Sequence, residues 1–159
     1  MLNMKTAIQA AIVGGLIAGA IDIGAACVIF HAMPAGVLKA VASGLIGHTA
    51  AHNGGMGVVL LGAFLQEFIS VVAAGVYCFA SMRLPVLIHQ WLIGGILFGG
   101  AVNLFLTHIV GPLSQASMAP FGTYFWYANL IANMLTFGPP IAFVASRFAK
   151  QGRPALRMA

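Results

Sequence analysis

The chain has 159 residues, 61% of them hydrophobic and 6% charged, with a mean hydropathy of +1.01. A soluble domain carries roughly a quarter of its residues as charges; seven Lys/Arg and two Asp/Glu cannot cover a water-facing surface, which excludes a soluble protein and makes lipid the solvent. The net charge of +5 flanks apolar runs and is not interleaved with aromatic residues, which excludes a nucleic-acid surface.

Crossing about 30 Å of hydrocarbon takes about 20 apolar helical residues. The first run that qualifies is 7–30. It is longer than the apolar core of a leader peptide, and only one cation precedes it, so it reads as a span. Residues 33–55 are too polar and glycine-rich to cross. Within them Pro34 suits a first helical position, and Val37, Leu38, Val41, Leu45 and Ile46 recur every three or four residues. That pattern predicts a short interfacial or re-entrant helix over 35–46, followed by a loop over 47–55.

The second and third spans are expected over 56–80 and 86–110. The connection at Leu84 and Pro85 is short enough to predict an antiparallel hairpin. An uncharged loop with two prolines, 111–123, leads to a fourth span over 124–148. Its start carries Tyr124, Trp126 and Tyr127, an aromatic belt at the membrane interface. Pro139 and Pro140 should kink this helix and free carbonyls about a turn earlier. The expected architecture is an all-α integral membrane four-helix bundle forming one domain over 1–159, with a basic cytoplasmic tail at 149–159.

With both termini in the cytoplasm, Lys5, Arg83, Arg147, Lys150, Arg153 and Arg157 lie inside, and only Lys39 lies outside. This is the bias of the positive-inside rule. Cys27 and Cys78 fall in different spans and read as packing residues. Gly15 with Gly19, and Gly95 with Gly99, have the GxxxG spacing that lets helix backbones approach in lipid. They serve packing within the chain, or contact with itself or other membrane subunits.

The only two acids, Asp22 and Glu67, both fall inside spans. An intramembrane acid costs about 2.5–3.5 kcal/mol on insertion scales, so each is a candidate for function. Asn129, Asn133 and Thr136 form one stripe of the fourth span. Asn103 and Thr107 share a face of the third, and Gln66 adjoins Glu67. Counted by helical rise, Asp22, Glu67, Asn103 and Asn133 reach similar depths on the outer side of the midplane, which predicts a shared polar cluster facing the bundle interior. The alternative is that these groups hydrogen-bond helix to helix.

His31, His48, His52 and His108 fall on the same outer side. His48 and His52 have the i, i+4 spacing of a helical metal pair, with Met33, Met56 and Met118 as nearby soft ligands. His31 and His108 end two helices, as axial ligands of a haem would. Solvated loop histidines are the competing reading, and no cofactor is expected. His89 reads as an interface residue. No nucleophile–base motif, HExxH, phosphate-binding glycine loop or CxxC is present, so the chain is expected not to be an enzyme.

Residues 15–23 (GLIAGAIDI), 37–47 (VLKAVASGLIG) and 76–85 (VYCFASMRLP) resemble a widespread group of bacterial four-helix inner-membrane proteins of unknown function, distantly YagU-like. The resemblance implies a multi-pass protein of the bacterial inner membrane and carries no established activity with it. Asp22 matches an acidic position in that group's first helix, whereas Gln66 and Glu67 depart from its pattern.

Two functions remain open. One is a non-catalytic accessory subunit that docks on a larger membrane complex by its glycine faces and binds lipid or quinone. The other is a small homo-oligomeric transporter or channel that moves protons or a small cation by way of Asp22 and Glu67.

Overall fold

The computed structural model describes residues 3–116 and 119–151. Met118, Arg153 and Arg157 lie outside the described residues. Everything described is helix and connecting turn.

Helix α1 (Met4–Ile29) starts earlier than the apolar run because Asn3 and Thr6 form a reciprocal cap: the Thr6 N–H donates to Asn3 Oδ1 and the Asn3 N–H to Thr6 Oγ1, both at 2.9 Å. It ends near His31, whose φ of 49° turns the chain. Helix α2 (Pro34–Ile46) begins on its proline as expected and stops at Gly47, whose φ of 83° an L side chain rarely adopts. The expected loop over 47–55 is largely helical: α3 covers His48–Asn53. Asn53, Gly54 and Gly55 punctuate only its end, and the stretch before them supports a helix.

Helix α4 (Met56–Arg83) is the second span. The third begins five residues later than expected, because Val86–His89 forms a separate turn, α5, and Gln90 breaks the helix before α6 (Trp91–Leu113). The fourth is α7 (Tyr124–Gln151). Four helices are therefore long and apolar enough to cross a membrane, with a shorter apolar helix between the first two.

Two of the spans contain a wide π turn, Leu106–Val110 in α6 and Asn133–Phe137 in α7. The second follows from the prolines. Pro139 and Pro140 have no N–H to donate, and the Gly138 N–H reaches the Asn133 carbonyl five residues back. The helix widens there and runs on to Gln151.

α1 packs against α4 on one side and α7 on the other, and α6 packs against α7. The sequence-adjacent α4 and α6 are antiparallel but are not packed along their lengths, which corrects the expected hairpin. They meet near the α4–α5 turn, where Tyr77 donates to the Leu87 carbonyl at 2.9 Å and stacks edge-on with Phe98. The break at Gln90 sets the third span aside, and close-fitting glycines draw it to α7.

The core is built of small residues: Ala7, Ala10, Ala18, Ala74, Ala142 and Ala145 are fully buried, beside Tyr77, Cys78, Phe137 and Ile141. Large apolar side chains such as Phe64, Phe68 and Leu97 point outward. This is the arrangement lipid favours, since helices gain by close approach rather than by hiding apolar area. The alternation of spans brings Lys5, Arg83, Arg147 and Lys150 to one end of the bundle, here the basic end, and Lys39 to the other.

Candidate functional site

Helices α1 and α4 approach through glycine. A Cβ on Gly15 would press into the Val71 backbone, and one on Gly19 would lie 2.8 Å from Glu67 Oε2 and 2.9 Å from Ser70 Oγ. One turn further along α1, Gln66 Nε2 donates to Asp22 Oδ2 at 2.9 Å. Asp22 lies about 8 Å from the middle of its helix and Glu67 about 4 Å from the middle of its own, both toward the end opposite the basic one. The structure thus joins Asp22, Gln66 and Glu67 at one helix interface.

The two acids differ in how they are held. Asp22 has its amide partner. Glu67 Oε2 is buried and has no hydrogen-bond partner among the described residues. The nearby Ser70 hydroxyl donates to the Gln66 carbonyl of its own helix at 2.8 Å. An unpaired buried polar atom costs about 1–3 kcal/mol. Glu67 is therefore the least satisfied polar side chain of this interface.

The remaining polar candidates sit on α6 and α7. Asn103 and Asn133 are buried. Asn133 Nδ2 donates to the Asn129 carbonyl at 3.0 Å, and Thr136 Oγ1 donates to the Ala132 carbonyl at 2.8 Å. These groups serve their own helix at the π turn. Among the described residues no hydrogen bond links them to Asp22, Gln66 or Glu67. Of the residues expected from their depth to share one cluster, hydrogen bonding joins only Asp22 and Gln66 across two helices among the described residues.

The second glycine pair fits α6 onto α7. Cβ atoms on Gly95 and Gly99 would collide with the backbones of Gly138, Pro139 and Asn133. All four GxxxG glycines are occupied within the chain, so any surface for another subunit lies elsewhere.

His31, His48, His52 and His108 are spread over the end opposite the basic one. His48 and His52 lie on α3 with parallel rings 6.1 Å apart, both exposed. Among the described residues no three His, Cys, Asp or Glu side chains converge on a metal position. Met33 and Met56 are exposed. His31 is exposed at the end of α1, and His108 packs edge-on against Phe121 and Trp126. Trp126 is 7% exposed, and its Nε1 is buried with no acceptor among the described residues. His89 Nδ1 lies 3.3 Å from the Pro85 carbonyl oxygen, near the basic end.

Three features had no clear signal in the sequence. The α2 backbone lies directly on α4, where Gly62 meets the Leu38 carbonyl. Gln115 ties the long loop to the end of α2, its N–H donating to the Gly44 carbonyl at 3.0 Å and its Nε2 to the Leu45 carbonyl at 3.4 Å. Two apolar grooves open on the surface. One, about 270 Å³, lies between α4 and α6 and is lined by Tyr77, Ala80, Leu87, Gly94, Leu97, Phe98 and Ala101. The other, about 410 Å³, lies over α7, with Ile17 and Ile21 of α1 on one side and Trp91 on the other. Neither groove is lined by Asp22 or Glu67.

The chain matches no family model, no curated protein and no solved structure. What stands of the resemblance drawn from the sequence is its architecture, four long apolar helices.

Proposed function

We propose that the chain is a non-catalytic membrane subunit that docks a partner helix into the cleft between α4 and α6. The observation that carries this reading is the gap itself. The two spans are joined at one end yet part along their length, leaving an apolar groove in which Ala80, Gly94 and Ala101 lie beside Tyr77, Leu87, Leu97 and Phe98. Small residues are what close helix association in lipid uses. Supporting it, Asn133, Thr136 and Ser70 bond within their own helices and Asp22 is paired with Gln66, an arrangement of structural hydrogen bonds. On the sequence resemblance, the membrane is a bacterial inner membrane.

Mass measurement after purification in mild detergent tests the proposal. A defined hetero-complex is expected for the wild type. Ala80→Phe with Ala101→Phe should release the partner, and Leu92→Phe on the lipid-facing side of α6 should not. A homogeneous preparation of the chain alone, or a complex indifferent to the cleft substitutions, overturns it.

A second reading is favoured by the unpartnered Glu67 Oε2: a proton or small cation moves along the α1–α4 interface. Flux in liposomes that is abolished by Glu67→Gln and reduced by Asp22→Asn is its expected signature. Flux that survives both substitutions removes the acids from any such path.

A further inference from the structure

The groove over α7 combines an apolar trough with a cation at one end that has no ion-pair partner among the described residues. Leu135 lies about 4 Å from the middle of α7 on the side away from the basic end, and Phe143 about 8 Å on the basic side. The trough therefore covers about 12 Å of the hydrocarbon depth, mostly in the leaflet of the basic end. Trp91 closes one side, its ring edge-on to Phe143 with centroids 5.3 Å apart.

Arg147 follows one turn later, about 14 Å from the middle of the helix. Half the thickness of a bilayer core is about 15 Å, so Arg147 sits at the boundary of hydrocarbon and headgroups. Its guanidinium carbon is 4.9 Å from the centre of the Phe143 ring, which holds the charge over the end of the trough. Lys150 is exposed on the next turn. The chain has only two acids, Asp22 and Glu67, and both lie toward the other end. Arg147 therefore has no Asp or Glu of its own chain as counter-ion.

We propose that this groove binds an anionic phospholipid of the leaflet at the basic end, with one acyl chain along α7 beneath Trp91 and the phosphate against Arg147. An acyl chain suits an apolar trough that begins near the bilayer centre. An anionic headgroup supplies the missing counter-ion at the depth where phosphates lie. Cation-rimmed pockets between spans bind anionic headgroups for this reason. The site is separate from the α4–α6 cleft and does not depend on a protein partner.

The test uses the full chain reconstituted with equal amounts of phosphatidylglycerol and phosphatidylethanolamine, with retained lipid counted by native mass spectrometry. The wild type is expected to retain phosphatidylglycerol in excess over the mixture. Arg147→Gln should lower that preference roughly fivefold, the worth of one cation near an anionic surface, and Arg147→Lys should largely keep it. Ile17→Trp, which fills the trough from a lipid-facing position of α1, should lower retention of both lipids. Arg83→Gln removes a cation at the same end on α4 and should change nothing. Retention in the ratio of the mixture by the wild type overturns the proposal, whether or not the variants fold. An equal loss of preference from Arg83→Gln and Arg147→Gln also overturns it, since the attraction is then general to the basic end.

Discussion

Glycine is decisive where two backbones meet and indifferent where one faces lipid, and this chain offers both cases. Gly99 lies against the Asn133 carbonyl, so Gly99→Ala must push α6 away from α7. Overpacking of this kind costs about 1–3 kcal/mol, and the expected result is a lower midpoint when the chain is unfolded by detergent titration. Gly75 has open space around its missing Cβ. There Gly75→Ala should be neutral or raise stability by up to about 1 kcal/mol, the helix-propensity difference. Equal effects at both positions would contradict the packing described. The GxxxG spacing alone pointed to Gly99 and to Gly15, Gly19 and Gly95, because close approach of helices in lipid leaves a signature at four-residue separation. Asp22, Gln66 and Glu67 were legible as intramembrane polar groups for a similar reason: polar residues stand out in an apolar run. The hydrogen bond from Gln66 to Asp22 across α1 and α4 was not legible. Spacing fixes a face of a helix, and the identity of the helix it meets depends on packing far away in sequence.

At the scale of elements, four spans followed from length and hydropathy, and their irregularities did not. Val86–His89 breaks away as its own turn because the departure at Gln90 is a matter of backbone torsion, which no periodicity records. The π turn at Asn133–Phe137 was foreshadowed by Pro139 and Pro140 as a disturbance whose form remained open. The docking of the long loop on α2 uses one residue, Gln115, through its backbone N–H and its side chain, in an otherwise unremarkable polar stretch. Gln115→Ala removes the side-chain bond to the Leu45 carbonyl and leaves the backbone bond to Gly44. Hydrogen exchange should therefore speed up in α3 and in the turn at Gly47, and the spans should keep their protection. Global stability should change by less than about 1 kcal/mol, as expected for a local opening. Uniform loss of protection across all four spans would mean that the loop contact holds the bundle together.

For the molecule as a whole, the distribution of charge decides how it sits in the membrane. Alternating spans place Lys5, Arg83, Arg147 and Lys150 at one end, with Lys39 at the other. Lysine and arginine beside spans are retained on the cytoplasmic side, and acids count little in that bias, so Asp22 and Glu67 do not offset it. The rule therefore predicts that α2 and α3 face outside and that the groove under Arg147 opens to the cytoplasmic leaflet. The arrangement is checked with single cysteines in a background of Cys27→Ala and Cys78→Ala. Thr49→Cys on α3 should react with a membrane-impermeant maleimide in intact cells, because Thr49 is exposed at the end opposite the basic one. Lys150→Cys should react only after the cells are opened. The reverse pattern would invert the molecule and move Arg147 to the outer leaflet. Labelling of both positions in intact cells would mean that insertion is mixed, and six cations against one are then too weak a signal to orient this chain.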